Sequence, residues 1–427
     1  MRERLRRRDA LLALGATFAS MLGGAGCRRA SRDGGRVVAT LWFSYGGKNR
    51  EVLLELVERF NASQPRVLVK ATFQGDYFEA LAKLRTAIAA NAAPTFSHVV
   101  GEVLPYLARA DVLEPLDAYE GAHALPLIPE LAQGGSYTGG ERAPLVAVPF
   151  NRSTPIMYLH GGVLEGELEG HVPATWDELA AAAARLTRRE GSVRWGYEVP
   201  IGWWFWVAMV GQAGGRVCEP DGTPTLGGAA GEKALRFWQR LVHVDRVMRP
   251  PPGRDYNAWQ ATNQDFLAGR VAITWTSTAF LRYLEENARF PVVAAPLPRD
   301  VRASVPTGGT LFVVLRGAPP EEKQAAWEFL RWMCEDEQTI AWATRTGYLP
   351  VTTSAVARLD AQGYYREHPN DRVALDQLRW ADPWPWAPNL FRVQRDVIEP
   401  KLEEAVLTNR DAGAVLAEAR AEALAAR

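Results

Sequence analysis

The feature that most limits what this chain can fold into is a change of hydrophobic rhythm, made twice over between Val37 and Ile88. Val37 to Phe43 is β-rich and mostly apolar, as a strand buried within a sheet must be. After a turn at Gly46-Gly47, the apolar residues Leu53, Leu56, Val57 and Phe60 recur at i, i+3, i+4 and i+7, the spacing of an amphipathic helix. Asn61 to Pro65 ends that helix. Val67, Val69, Ala71 and Phe73 then alternate with Leu68, Lys70 and Thr72, which predicts a second strand. Tyr77, Leu81, Leu84 and Ile88 return to helical spacing. Strand, helix, strand and helix in so short a stretch predict parallel βαβ units and hence an α/β lobe.

The same grammar restarts after Phe150. Thr175-Trp176-Asp177-Glu178 predicts a capping box that opens a helix through Leu179, Ala183 and Leu186. Glu232 to Val244 reads as helix, Val271 to Trp275 as strand, and a helix begins at Pro319-Pro320 and runs to about Cys334. Beyond Pro350 the pattern is helical apart from the Trp/Pro-rich loop Trp380 to Pro388. A chain of 427 residues exceeds what one hydrophobic core serves, so two domains are expected.

Residues 1–26 read as an export signal: arginines at the start, an apolar run from Ala10 to Leu22 too short to span a bilayer, then small residues. Arg6-Arg7 resembles the twin-arginine subtype. The small residues ending at Cys27 resemble a bacterial lipoprotein cleavage box, although Gly24 stands where Leu is usual. Cys27 is therefore expected to carry a lipid, with residues 27–35 as a flexible tether to the fold. The whole chain has 49 basic and 49 acidic residues. Without residues 1–26 it has 44 against 47, a net of −3, which gives no footprint for nucleic acid and no polybasic membrane patch. Cys218 and Cys334 could pair in an oxidising compartment, but two buried free thiols are the expectation.

Catalytic signatures are missing. There is no H-E-x-x-H, C-x-x-C, G-x-S-x-G or P-loop, and the six histidines are scattered without ligand spacing. No metal, no cofactor and no catalysis are expected. Aromatic residues stand out instead, above all Trp203-Trp204-Phe205-Trp206 and Trp380, Trp384 and Trp386. Four consecutive rings cannot all share one face of a helix or strand, so at least one is expected to border a cleft.

Several words of the sequence, in order, resemble the extracellular solute-binding proteins of ABC importers (family 1). The branch is the one that binds glycerol 3-phosphate and glycerophosphodiesters, related to the maltose-type sugar binders. They are Leu41-Trp42-Phe43-Ser44-Tyr45-Gly46-Gly47, Phe60-Asn61-Ala62-Ser63-Gln64-Pro65, Gln74-Gly75-Asp76-Tyr77, Phe150-Asn151-Arg152-Ser153-Thr154-Pro155, Thr175-Trp176, Gly308-Gly309 and Thr346-Gly347-Tyr348-Leu349-Pro350. The resemblance implies the type II periplasmic-binding-protein fold, two α/β lobes around an interlobe cleft. Lobe 1 would comprise residues 36–150 and 295–349, lobe 2 residues 151–294 and 350–427, with crossings near Phe150, Ala294 and Pro350.

The ligand contacts that the resemblance implies are Tyr77, Ser153, Ser277, Gly309, Tyr348 and Arg395, with aromatic walls from Trp176, Trp203 and Trp206. A glutamate that grips ligand hydroxyls would be Glu102, although ungapped counting puts Gly101 there. Arg152 departs from the motif by replacing a small neutral residue. Hydroxyls, backbone N–H groups and one arginine fork make a set suited to phosphate. On its own helix, Arg395 is equally placed for an i,i+4 salt bridge with Glu399. The resemblance further implies a monomeric, exported cell-envelope lipoprotein that delivers its solute to a membrane permease driven by an ATPase. The alternatives are the same fold binding a neutral sugar or oligosaccharide, and a secreted carbohydrate-active hydrolase.

Overall fold

The computed structural model describes residues 29–132, 144–253 and 255–426. The export signal and Cys27 lie outside the described residues.

The opening rhythm folds as its periods require. β2 (Arg36–Phe43), α1 (Gly47–Ser63), β3 (Val67–Phe73), α2 (Tyr77–Ala89) and β4 (Phe96–Val100) follow one another, with β2 parallel to both β3 and β4. The apolar stripe Leu53, Leu56, Val57 and Phe60 of α1 is buried against the sheet. Ahead of them β1 (Arg32–Asp33) pairs antiparallel with Arg36 and Val37 across the turn Gly34-Gly35, whose φ values of +54° and +83° suit glycine. This corrects the expectation of a loose tether up to residue 35, because four backbone partners sit close enough to form a hairpin.

Eight further strands complete the sheets: β5 (Val148–Ser153), β6 (Pro155–His160), β7 (Trp195–Glu198), β8 (Val271–Ser277), β9 (Val292–Ala295), β10 (Val305–Pro306), β11 (Gly308–Val314) and β12 (Ala381–Asp382). The first sheet runs β1-β2-β4-β11-β5 with β3 also on β2, the second β7-β8-β6-β9. A single residue, Thr154, separates β5 of the first sheet from β6 of the second. Pro155 disfavours helical backbone at Thr154, which suits a direct crossing from one sheet to the other.

That topology fixes where the two sheets face each other. β11 is antiparallel to both β4 and β5, so the ends of β2, β4 and β5 and the start of β11 share one edge. In the second sheet the ends of β7 and β8 share an edge with the start of β6, where Pro155 pairs with Ser277. Because Ser153 and Pro155 are neighbours in sequence, these two edges meet. The space outside such strand ends is where α/β sheets bind ligands.

Five more helices matter for the site: α3 (Trp176–Leu186), α4 (Trp203–Gln212), α5 (Asp255–Leu267), α6 (Pro320–Met333) and α7 (Asp336–Thr346). The Thr175 cap accepts from Glu178 N as expected at 3.2 Å, but the Glu178 carboxylate turns back to Ala174 N (2.7 Å) rather than to Thr175. The helix expected through Val244 is α-helical only over Ala229–Gln239. It ends in a π-turn, Arg240–Val244. Cys218 and Cys334 are both buried, and no disulfide joins them.

Candidate functional site: the edge between the lobes

The first-lobe wall is a cluster of phenols around Asn151. The Asn151 amide nitrogen donates to Tyr77 Oη (3.2 Å), and its oxygen accepts from Thr310 N (3.1 Å). The Tyr77 and Tyr348 phenols lie close enough to act on one another. Tyr77 is delivered as the first residue of α2, and Tyr348 follows Gly347, whose φ of +92° ends α7. Trp342 stacks on Tyr348 at 5.6 Å, and Tyr45 lies between Trp342 and His98. Burial pushes the phenols of Tyr45, Tyr77 and Tyr348 above their usual range and pulls His98 down to about 3. The wall therefore stays neutral near pH 7. A cavity of about 10 Å³ beneath it, lined by Ser44, Tyr77 and His98, has room for no more than a water-sized guest.

Gly309 sits in the same wall at a φ of +86°, and a Cβ there would come 1.8 Å from the Asn151 carbonyl oxygen. Only glycine lets β11 approach β5 this closely. Ser153 ends β5 opposite Gly308 and is buried. Ser277 ends β8; its Oγ accepts from Ala279 N (3.1 Å), and its carbonyl accepts from Tyr158 Oη (3.2 Å). Glu102 lies in the short 3₁₀ turn Gly101–Val103 just past β4. Its carboxyl is raised by burial, with Arg152 pulling the other way. Of the two candidate positions, only Glu102 brings a carboxylate.

Near the end of the chain, Arg395 sits in a π-turn (Gln394–Ile398) with its guanidinium 3.7 Å from the ring centre of Phe78 on α2. It also meets Glu399 at 3.3 Å, so the helix salt bridge is present together with a cation–π contact across the lobes. Phe391 adds a ring contact to Phe78 at 5.8 Å.

The aromatic walls need correction. Trp176, Trp203 and Trp206 are buried in the second lobe's core rather than along the cleft. Trp176 donates to Gln212 Oε1 (2.7 Å) beside Phe237. Trp203 packs between Trp206 and Trp384, and Trp206 donates to Gly231 O (3.3 Å). The reason is helical phase. α4 begins at Trp203, so Trp203 and Trp206, at i and i+3, share its inward face. Trp204 leaves on another face. It is half-buried, donates to Thr307 O (3.4 Å) and lies so close over Gly308 that a Cβ there would be 2.6 Å from its ring. Trp259 of α5 stands 5.5 Å from it. Asn151, Trp204 and Trp259 join the site candidates only in the folded structure. Asn151 stands inside one of the motif words and Trp204 inside the aromatic run, while Trp259 carries no sequence signal.

Two main sheets whose strand ends meet beside this set of polar and aromatic side chains suit a binding protein. A family model described as bacterial extracellular solute-binding protein matches residues 55–369. The chain belongs to that family. Among curated relatives, the sn-glycerol-3-phosphate-binding periplasmic protein UgpB of Yersinia pseudotuberculosis is 27% identical over 390 residues, 86% of this chain and 87% of that one. The Salmonella typhimurium protein of the same name is 25% identical over 366 residues, 82% of each. Among solved structures, UgpB from Mycobacterium tuberculosis in complex with glycerophosphocholine superposes with a TM-score of 0.78 at 24% identity. It covers 90% of this chain and 97% of that one. Maltose-bound MalE3 of T. maritima gives 0.79 at 21%, with 90% and 98% covered. The solute-binding family is extracellular, so this member is an exported protein. Among the described residues no helix is long and apolar enough to cross a membrane.

Proposed function

We propose that this solute-binding protein captures glycerol 3-phosphate or a glycerophosphodiester between its lobes and delivers it to the permease of an ABC importer. What supports the reading is that Tyr77, Asn151, Ser153, Gly309 and Tyr348 lie near one sheet edge, with Arg395 over Phe78 next to Tyr77 and Trp204 bonded to Thr307 beside Gly308. Neutral phenols and hydroxyls, a glycine edge and an arginine suit a phosphate, Glu102 suits glycerol hydroxyls, and Trp204 suits the carbon skeleton. The names of the curated relatives support the same solute class. Lobe 1 then comprises residues 36–150 and 295–349, and lobe 2 residues 151–294 and 350–427. Closure on the solute is a hinge motion about the three crossings. Residues 1–26 serve as export signal and Cys27 as lipid anchor, and the protein works as a monomer without catalysis.

The Trp204–Trp259 face favours a second reading, a neutral oligosaccharide in the same cleft. Calorimetry against glycerol 3-phosphate, glycerophosphocholine and maltotriose separates them. Binding of the first two that is lost in Arg395→Ala supports the proposal. Binding of maltotriose alone, unaffected by Arg395→Ala, overturns it.

A further inference from the structure

Arg152 precedes Ser153 in β5, and its side chain turns inward, 1% exposed. One terminal nitrogen donates to Thr307 Oγ1 (2.7 Å) and the other to the Gly309 carbonyl (3.3 Å), while Nε is buried with no partner. Both acceptors are neutral, and among the described residues no carboxylate stands within ion-pair reach of the guanidinium. Other poorly exposed arginines of this molecule are matched: Arg282 by Asp371 and Glu285, Arg194 by Glu167. A guanidinium withdrawn from water with no carboxylate in contact is costly, and Glu102 acts on this one only from beyond ion-pair distance.

The groups around Arg152 belong to the crevice edge. It bonds Gly309, adjoins Ser153, and its Nη1 would lie 3.8 Å from a Cβ on Gly101, at the turn that carries Glu102. Of its titratable neighbours, Glu102 acts on it by charge, while Tyr77 stays a neutral phenol near pH 7. Burial pulls its pKa only to about 10, so it remains a cation at neutral pH.

We propose that Arg152 sets the charge of the solute: the buried guanidinium bonded to the Gly309 carbonyl, with no carboxylate in contact, is the counter-charge for a phosphate oxyanion seated on that edge. This rests on the cleft being the solute site, and it gives the preference for an anion a second source beside Arg395, which Glu399 already partly neutralises. Through the low-dielectric floor of the cleft the charge acts without direct contact.

The test compares wild type, Arg152→Ser and Arg152→Lys, by calorimetry with glycerol 3-phosphate and maltotriose and by thermal melts with inorganic phosphate against sodium chloride of equal ionic strength. Arg152→Ser is expected to weaken glycerol 3-phosphate at least roughly tenfold and to abolish the phosphate-induced rise in Tm. Its ligand-free melt should be no lower than wild type, because an unpaired buried charge has gone, and Arg152→Lys should fall between. Wild-type affinity in Arg152→Ser overturns the assignment. So does a ligand-free Arg152→Ser that melts far below wild type or fails to fold, since the guanidinium would then be a structural strut. If wild type ignores glycerol 3-phosphate but gains an Arg152-dependent phosphate stabilisation, the glycerol reading fails and the anion assignment stands. If neither anion acts on wild type, both fall.

Discussion

At the scale of single residues, His98 should make this protein sensitive to acid. It is buried beside Tyr45 and Tyr77, with Nδ1 3.2 Å from Thr310 Oγ1, and burial depresses its pKa to about 3. A depressed histidine contributes stability that is complete above the unfolded value near 6.5 and is lost as pH falls towards 3. At pH 5 the loss is about 2 kcal/mol. Urea unfolding at pH 7.5 and 5 should show it in wild type, and a smaller difference in His98→Gln; an equal difference in both would assign the acid sensitivity to other groups. The tryptophans offer a second comparison. Trp203→Ala empties a core position and should cost about 3–5 kcal/mol. Trp204→Ala should cost less stability but weaken solute binding roughly tenfold, by removing a ring that faces the crevice. Reversed phenotypes would return Trp203 to the cleft.

At the scale of elements, the entry of α2 decides where a ligand candidate points. Asp76 accepts from Phe78 N and Glu79 N, both at 2.8 Å, while Glu79 reaches back to Asp76 N (3.3 Å), a complete capping box. Tyr77 is held between these bonds. Asp76→Ala should destabilise the fold by about 1 kcal/mol and loosen Tyr77. Calorimetry should then show weaker binding than the stability loss alone explains, and unchanged affinity would detach the cap from the site. The sequence carries this box as plainly as the one at Thr175. Gln-Gly-Asp-Tyr is at once a family motif word and a helix start, and the cap lies in its Asp. The aromatic run shows a different limit. Its composition says that one ring must leave the core, but which one depends on the residue at which α4 begins. Gly202 as the cap puts Trp203 and Trp206 inside and Trp204 outside.

At the scale of the molecule, the lobes touch at side chains distant in sequence. Lys48 on α1 meets Glu286 beyond β8 at 2.6 Å, both half-exposed, and Arg395 lies over Phe78. An exposed pair of this kind is worth only a few tenths to 1 kcal/mol and is screened by salt. Lys48→Glu is therefore expected to lower solute affinity about two- to fivefold at low ionic strength, with little change in Tm and with the deficit fading at high salt. A salt-independent deficit would point to damaged packing instead of a weakened closed state.

Periodicity alone determined that β2, α1, β3 and α2 would form and that they would make a parallel α/β unit. The reason is that burial of one stripe or one face is a local demand written into every third or every second residue. The long-range return of β11 between β4 and β5 has no such local record, nor does the inward turn of Arg152 or the choice of Trp204 over Trp203. Those depend on which surfaces meet once two sheets share a crossing at Thr154, and only the assembled tertiary structure sets that.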